Sequence, residues 1–261
     1  MPPRPRTRLD AALVSRGLAP SRERARALVL AGRVRVGEAI VTKAGADVPD
    51  GAPLTVVEPD FPWVGRGGVK LAHALDAFGI DVTGREALDI GASTGGFTDV
   101  LLRRGAARVV ALDVGHGQLD WRLREDPRVI VLEHHNARQL ARDWLPAPAD
   151  IVTIDVSFIS LRLVLPALPP VLADGADVVA LVKPQFEAGR AQVGRGGLVK
   201  DPAVHDAVLA RVTDAADACG LRRVAMTPSP ITGATGNVEF LMHLRAAAAG
   251  SGHESPSAFE A

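Results

Sequence analysis

The pattern of apolar and polar positions begins with a short helical region at the N-terminus. Apolar residues at helical spacing predict a helix that starts near Leu9 and ends at Gly17. Ser21 is placed to cap a second helix, which is expected to end near Gly32. The alternation at residues 33–36 then predicts a short strand that buries two valines and exposes two arginines. Two helices and a small strand region indicate a small α+β domain.

The rest of the chain alternates between apolar strands and helical segments. Strands are predicted at residues 87–90, 108–113, 129–132, 150–155 and 178–182. Continuous apolar runs of this kind are typical of strands buried on both faces, as in parallel sheets. The predicted fold class is therefore α/β, with a mostly parallel sheet, helices on both faces and a small N-terminal α+β domain in front of it.

Prolines and glycines mark the boundary between the two regions. Pro59 and Pro62 restrict themselves and the residues before them, which predicts a stiff connector, and a new helical pattern begins at Lys70. The predicted divisions are an N-terminal domain at 1–58, a connector at 59–65, a second domain at 66–246 and a tail at 247–261. The Ala-, Ser- and Gly-rich tail is expected to be disordered past about residue 250.

Composition excludes several classes of protein. The 261 residues are 47% hydrophobic, which supplies a sizeable core, and the lone Cys219 excludes a disulfide framework or a cysteine-based zinc site. One cysteine also fits a reducing cytoplasm, where we expect the protein to act. The sequence has no apolar run long enough for a spanning helix and no apolar segment of a secretory signal near its basic start.

The net charge of zero hides an asymmetry between the two regions. Residues 1–43 contain ten Arg and Lys against three Asp and Glu, a net charge of +7 that leaves −7 for the remainder. A basic module on an acidic body favours an anionic partner such as nucleic acid, although a solvated charged face would also produce it. Arg22 and Arg26 lie four residues apart, so one helix face could straddle a phosphate backbone.

The N-terminal pattern is similar to a known RNA-binding domain. Residues 7–57, with their helix pair and Gly-Arg-Val-x-Val turn, resemble the alpha-L RNA-binding domain of a small-subunit ribosomal protein and of pseudouridine synthases. The resemblance implies that Arg22, Arg26, Arg33 and Arg35 contact RNA. The alternative is a small structural cap without a ligand.

A glycine-rich turn follows the first strand of the second domain. Gly91, Gly95 and Gly96 lie between a strand and a helix, and Asp113 ends the next strand, an arrangement that holds adenosine-bearing cofactors. A dinucleotide site would have the spacing Gly-x-Gly-x-x-Gly, which differs from this one. Asp89 enters the turn, where an acid suits a cation better than a pyrophosphate. The turn therefore favours S-adenosylmethionine, with its sulfonium and ammonium groups, over NAD.

Two further charges lie where buried strands meet their C-terminal loops. Asp155 and Lys183 stand at the sheet edge where open α/β sheets bind ligands. Either residue alone could be the first solvated position after a strand. Their occurrence with Asp89 and Asp113 at one edge favours a site.

Five separated motifs resemble one family in order. They are RGGVKL at 66–71, LDIGASTGGFT at 88–98, IDVSFIS at 154–160, VKPQFE at 182–187 and GNVEF at 236–240. Over nearly the whole chain they are similar to the TlyA (hemolysin A) family of rRNA 2′-O-methyltransferases, whose catalytic domain resembles the FtsJ/RrmJ ribose methyltransferases. The resemblance implies a Rossmann-like class I S-adenosylmethionine-dependent methyltransferase fold. It also implies the substrate, the 2′-oxygen of cytidine in 16S and 23S rRNA of ribosomal subunits.

The resemblance also assigns site residues. A Lys-Asp-Lys-Glu catalytic tetrad falls on Lys70, Asp155, Lys183 and Glu239, with Lys183 as the base that activates the hydroxyl and the others as positioning groups. The implied cofactor-binding residues are Asp89, Gly91, Ser93, Thr94, Gly95, Gly96, Phe97, Asp113, Asn136 and Asp155. Phe97 could equally belong to the core. Arg66 joins the RNA-binding residues, and no metal is expected, since His134 and His135 lack a third ligand at a recognisable spacing.

Three other functions compete with a methyltransferase. The older family name implies a membrane-damaging haemolysin, but the sequence shows no amphipathic or apolar membrane element. A non-enzymatic RNA-binding or ribosome assembly protein would need the tetrad to be incidental. An NAD-linked oxidoreductase is disfavoured by the glycine spacing.

Overall fold

The N-terminal part consists of two helices packed on short strands. The computed structural model describes residues 6–57 and 61–247, so the predicted tail lies, apart from Ala247, outside the described residues. The elements are β1 (Arg6–Arg8), α1 (Leu9–Ser15), α2 (Arg22–Leu30), β2 (Val34–Val36), β3 (Ala39–Ile40), β4 (Asp47–Pro49) and β5 (Leu54–Val56). β1 pairs antiparallel with β4, while β2 lies between β3 and β5.

Two predicted helix-boundary signals of this region, one at a C-terminus and one at an N-terminus, act as expected. Gly17 takes a left-handed conformation after α1, with φ of 68°. Ser21 caps α2, because its Oγ accepts a hydrogen bond of 3.2 Å from the backbone N–H of Arg24. Leu13 and Val29 face each other's helix from fully buried positions. The helix pair therefore has its own small apolar core.

The alternation predicted for residues 33–36 is only partly correct. Val34 is fully buried, but Val36 is half-buried. Arg33 and Arg35 are half-buried instead of exposed. The Nε of Arg33 donates to the carbonyl of Val57 at 3.3 Å, so this side chain folds back onto the chain. β2 has three residues and lies between β3 and β5, so its side chains are partly covered on both faces.

A seven-stranded sheet forms the second domain. Its strands are β6 (Glu86–Ile90), β7 (Arg108–Leu112), β8 (Val129–Leu132), β9 (Ala149–Ile154), β10 (Leu172–Val182), β11 (Leu221–Pro228) and β12 (Phe240–Ala246). Its helices are α3 (Gly67–Phe78), α4 (Gly96–Arg103), α5 (Trp121–Arg124), α6 (Pro184–Glu187) and α7 (Pro202–Asp217). The strand order is β11-β12-β10-β9-β6-β7-β8.

The strand order places a topological switch point at the centre of the sheet. From β6 the chain proceeds outward to β7 and β8, then returns to β9 on the other side of β6 and continues to β10. These five strands are parallel, and β12 runs antiparallel to both β10 and β11. Ligands of such sheets bind outside the carboxyl ends of the strands at the switch point. The mostly parallel α/β fold predicted from the sequence is confirmed.

Both faces of the sheet are covered, which explains the continuous apolar runs. Val152 and Val178 belong to a core that α7 closes through Val208. Ile151 and Val179, one residue away on each strand, face the core that α3 and α4 close. Successive residues thus point to different cores, so both alternating sets of side chains on each strand are mostly apolar.

Two elements start earlier than predicted. β10 begins at Leu172, where Asp174 and Gly175 interrupt the apolar pattern and the pairing with β9 is irregular. α3 begins at Gly67 rather than at Lys70. Gly68 suits this first turn because a Cβ there would overlap the side chain of Trp63. The connector therefore packs directly on the start of α3.

The two domains contact each other through α2. Arg24 Nη1 lies 3.3 Å from Asp120 Oδ2, at the residue that caps α5. The backbone N–H of Val64, in the connector, donates to Asp99 Oδ2 of α4 at 2.9 Å. Within the residues that the structure describes, no helix has the length and apolar composition needed to cross a membrane.

Candidate active site

A cavity of about 870 Å³ opens at the carboxyl ends of the parallel strands. One wall comes from the glycine-rich turn and the loops that follow β9 and β10. The opposite wall comes from the N-terminal domain, through residues that include Arg8, Arg26 and Lys43. This volume lies within the range of small-molecule sites, roughly 300–1,000 Å³.

Lys70 and Glu239 form one buried ion pair in this cavity. Lys70 lies in the first turn of α3, and Glu239 directly precedes β12. Lys70 Nζ lies 2.5 Å from Glu239 Oε2, and both side chains are more than nine-tenths buried. Gly233 leaves space for the carboxylate, since a Cβ at that position would overlap Glu239 Oε1. The turn before β12 is thus shaped around the glutamate.

Lys183 and Asp155 form the second ion pair. Asp155 follows β9 and Lys183 follows β10, so neighbouring parallel strands deliver both side chains to one edge. Lys183 Nζ lies 2.5 Å from Asp155 Oδ1. It also donates to Ser157 Oγ at 2.9 Å. All four residues of the predicted tetrad therefore line the same cavity as two acid–amine pairs.

Asp155 is ionised in this setting. Burial by itself would raise the pKa of its carboxyl group, but the charges of Lys183, Lys70 and Arg66 hold the pKa below its ordinary value. The backbone N–H of Asp155 donates to the carbonyl of Ile90 at 2.9 Å. The carboxylate is therefore fixed in charge and in position beside the glycine-rich turn.

The glycine-rich turn contacts both the cavity and Asp113. The backbone N–H of Ser93 donates to Asp113 Oδ2 at 2.8 Å, and that of Gly115 donates to Oδ1 at 2.7 Å. Asp113 borders a second, much smaller cavity that shares Ala92 and Ser93 with the large one. Each carboxylate oxygen accepts one bond here and keeps a second lone pair free for a ligand hydroxyl.

Most of the predicted cofactor-binding residues lie on the wall of the large cavity. Gly91, Ser93, Thr94, Gly96, Phe97 and Asp155 all border it. Gly91 has φ of 85°, and a Cβ there would overlap the carbonyl of Asp155. Phe97 is 3% exposed and belongs to the apolar core as well as to the cavity wall.

Asp89 does not contact the cavity as the sequence predicted. Its side chain is 0% exposed and accepts hydrogen bonds from Thr98 Oγ1 at 2.7 Å and Thr153 Oγ1 at 2.9 Å. Burial raises the pKa of Asp89 to about 7, against the two threonine hydrogen bonds. The Asp89 carboxyl group therefore connects β6 to α4 and β9 beneath the glycine-rich turn, and it does not border the large cavity.

Gly95 and Asn136 also have structural roles here, and neither is among the described residues that line the large cavity. A Cβ on Gly95 would overlap the side chains of Leu119 and Leu123, so this glycine permits close packing. The side chain of Asn136 accepts from the backbone N–H of Arg138 at 3.1 Å and caps a short 3-10 turn.

The predicted RNA-binding arginines differ in their surroundings. Arg26 is exposed and faces the large cavity. Arg22 Nη2 lies 3.2 Å from Asp10, whose pKa is lowered to about 2 by hydrogen bonds from Arg8 and Arg22. Arg66 borders the cavity and donates to the carbonyl of Thr232. Arg26 and Arg66 are thus brought to the site, while Arg22 is paired beside it.

Histidines near the site are packed against aromatic rings. His134 stacks on His116 with ring centroids 4.7 Å apart, and His135 meets the edge of Trp144 at 4.6 Å. Over the described ranges, no group of three or more His, Cys, Asp or Glu side chains is arranged to hold a metal ion.

Sequence reasoning missed two polar residues of the site. Ser157 contacts Lys183. Asn237, 1% exposed, accepts from the N–H of Val199 and donates to the carbonyl of Gly197, which joins two segments of the cavity wall. Both residues occur within the motifs at 154–160 and 236–240, so position inside a motif was the available signal. Their contacts depend on loops that no local pattern specifies.

Comparisons with known proteins agree with this geometry. The sequence profile of the FtsJ-like methyltransferases matches residues 63–246. The protein named 16S/23S rRNA (cytidine-2′-O)-methyltransferase TlyA, from Mycobacterium tuberculosis, is 52% identical over 241 residues, which cover 92% of this chain and 90% of that one. The chain belongs to the TlyA (hemolysin A) family. As a member it is a methyltransferase, which argues against both an NAD-linked oxidoreductase and a non-enzymatic RNA-binding protein.

Other members and structures support the TlyA family assignment. The profile of the S4 domain matches residues 7–53. Hemolysin A of Brachyspira hyodysenteriae is 42% identical, covering 90% of this chain and 98% of that protein. A solved structure from Streptococcus thermophilus, described as a hemolysin, has a TM-score of 0.73 and 45% identity and covers 93% of this chain and 89% of that one. An S-adenosylmethionine-dependent methyltransferase from Listeria monocytogenes, 14% identical with a TM-score of 0.52, shares the fold of the second domain.

Proposed function

We propose that this protein transfers a methyl group from S-adenosylmethionine to the ribose 2′-oxygen of a cytidine in 16S and 23S rRNA. The observation that carries the proposal is the meeting of two buried acid–amine pairs, Lys70–Glu239 and Lys183–Asp155, in one cavity at the switch point. The substrate follows from the relative in M. tuberculosis, whose name states it. Because the rRNA of growing cells is cytoplasmic, we expect the enzyme to act there.

The residues of the cavity fit S-adenosylmethionine. The turn at Gly91–Phe97 allows close approach of a ligand to the backbone, and Asp113 keeps acceptor sites for ribose hydroxyls. Asp155 is ionised and suits the positive charge of a sulfonium or ammonium group. When bound, this cofactor would supply a methyl carbon made electrophilic by its sulfonium group, which becomes a neutral thioether on transfer.

The tetrad activates the ribose hydroxyl. A 2′-hydroxyl is a weak acid, and it becomes an adequate nucleophile only as it loses its proton. Lys183, in its neutral form, accepts that proton at Nζ and becomes an ammonium ion paired with Asp155. Lys70, held by Glu239, presents hydrogen-bond donors to the hydroxyl oxygen from the other side. Holding the hydroxyl in one orientation contributes the remaining rate enhancement.

The N-terminal domain is the proposed rRNA-binding part, extending over 1–58, and 66–246 is the proposed catalytic part. The match of the N-terminal domain to the S4 domain, and its net positive charge, support binding to a phosphate backbone. Arg26, Lys43 and Arg8 border the cavity, so RNA held by this domain would lie next to the catalytic lysine. Arg22, Arg33 and Arg35 remain predicted RNA contacts of the same domain.

A methylation assay tests the proposal directly. The protein is incubated with methyl-labelled S-adenosylmethionine and ribosomal subunits that lack the modification, and the labelled nucleotide is mapped by mass. We expect a 2′-O-methylcytidine in the 16S and 23S rRNA. The Lys183→Ala variant should bind the cofactor in calorimetry and transfer no methyl group. Near-normal turnover by that variant, or label on a base instead of a ribose, would refute the assignment.

A further inference from the structure

The amine of Lys183 contacts two oxygen atoms, only one of which belongs to the tetrad. Asp155 Oδ1 lies 2.5 Å from Nζ, and Ser157 Oγ lies 2.9 Å from it. The serine is two residues after the aspartate in the loop that follows β9. It also borders the cavity. A hydroxyl at this distance is a full hydrogen-bond partner of the amine.

The two contacts together restrict the orientation of the amine. In the neutral form that accepts the substrate proton, the lysine nitrogen carries two N–H bonds and one lone pair in a tetrahedral arrangement. When one N–H donates to Ser157 Oγ while the amine stays against the Asp155 carboxylate, one staggered position about the Cε–Nζ bond is favoured, and the lone pair has a preferred direction. With the Asp155 contact alone, no hydrogen bond would select among the staggered positions.

The loop that carries Ser157 is held firmly. Glu187, which is 6% exposed, accepts from Ser160 Oγ at 2.5 Å and from the backbone N–H of Leu161 at 2.6 Å. Phe158 has φ of 64° and its ring lies 5.1 Å from that of Phe186. The serine is therefore held near Lys183 by the segment that follows Lys183 itself.

We propose that Ser157 is a positioning residue that directs the lone pair of Lys183 toward the substrate hydroxyl. The inference rests on the proposed function, because it assigns Lys183 as the base. Ser157 acts through the lysine and need not contact the ribose. Its loss is expected to slow the transfer step without changing how either substrate binds.

Steady-state kinetics with matched variants test this role. For Ser157→Ala we expect kcat to fall about tenfold, as for the loss of one hydrogen bond to an ionisable group, with KM for both substrates unchanged within about twofold. Ser157→Thr keeps the hydroxyl and should recover most of kcat. Ser160→Ala is the control, since its hydroxyl contacts Glu187 and not Lys183, and the bond from the Leu161 N–H to Glu187 still holds the loop in this variant. A wild-type kcat in Ser157→Ala, or equal losses in Ser157→Ala and Ser160→Ala, would overturn the proposal.

A second measurement does not depend on activity. In the protein labelled with 15N-lysine, the immobilised Nζ of Lys183, assigned by its loss in Lys183→Ala, should give a resolved NMR signal that Ser157→Ala broadens and Ser160→Ala preserves. An unchanged signal in Ser157→Ala overturns the inference. If the wild-type enzyme has this NMR behaviour and yet methylates no ribose, the proposed function fails while the Ser157–Lys183 contact stands.

Discussion

Lys70 and Glu239 are 169 residues apart in the sequence, and their charged atoms lie 2.5 Å apart in the interior of the site. Lys70 lies in the helix α3, and Glu239 lies directly before the antiparallel strand β12. Their contact therefore depends on the complete assembly of the second domain. A buried charge pair of this kind is sensitive to the loss of either partner.

Replacing one member of this pair should reduce both stability and activity. In Glu239→Gln, Lys70 is left as a buried charge without its counter-ion, so we expect the free energy of unfolding to fall by about 3 kcal/mol. The double variant Lys70→Met with Glu239→Gln removes the unpaired charge and should regain part of that stability while remaining inactive. Urea unfolding and the methylation assay measure the two effects. If the double variant is as active as the wild type, the pair has no catalytic role.

Gly233→Ala should damage activity more than stability. The added Cβ would overlap Glu239 Oε1, so the carboxylate must leave its present position, in which Oε2 pairs with Lys70. Gly189 is the matched control, because a Cβ there meets only Gln192 Oε1 at an ordinary 3.5 Å. We expect kcat to drop at least tenfold in Gly233→Ala and by less than twofold in Gly189→Ala. Equal activities of the two variants would show that Glu239 tolerates displacement.

Asp89 should make the protein less stable as the pH rises toward neutrality. Its pKa in the folded state is about 7, above the value near 4 of an unfolded aspartate. Between these values the folded state retains a proton that the unfolded state has released, so stability decreases with increasing pH, by roughly 4 kcal/mol in total. Asp89→Asn should lack this decrease. Thermal unfolding from pH 4 to pH 7.5 measures it, and identical slopes for both proteins would contradict the prediction.

Asp177 should have the opposite effect at acid pH. Its buried carboxylate accepts from Arg85 at 2.7 Å, Arg245 at 2.8 Å and His243 at 2.8 Å, and these bonds hold its pKa far below the ordinary range in spite of burial. The stability that it contributes is present above about pH 4 and is lost as the pH falls below that value.

Asp177→Asn is therefore expected to be less stable than the wild type at pH 7, by about 2 kcal/mol, because two arginines lose their counter-charge. The difference between the two proteins should shrink below pH 4. Urea unfolding at pH 7 and pH 3 gives both values. A difference that stays constant across this range would mean that the charge of Asp177 is not what stabilises the cluster.

Local sequence signals predicted helix ends and buried strands well, because each depends on a few adjacent residues or on a continuous apolar run. Ser21 capped α2 and Gly17 followed α1 because capping depends on a few adjacent backbone groups. The apolar runs of the parallel strands were recognisable because both faces of the sheet are covered. Arg35 was mispredicted because its exposure depends on neighbouring strands.

The site was predicted less completely, for a similar reason. A resemblance in motifs supplied the tetrad, and the structure brings its four members to one cavity. The burial of Asp89 behind the turn and the contact of Ser157 with Lys183 depend on how β9, α4 and two loops pack together. Spacing along the chain carries little information on such packing.

The tetrad is anchored unevenly. Asp155, Lys183 and Glu239 extend from the ends of three adjacent strands, β9, β10 and β12, whose ladders keep them in register. Lys70 alone is carried by a helix. A displacement of α3 would therefore move one amine of the site, while the strand pairing keeps the other three groups in place.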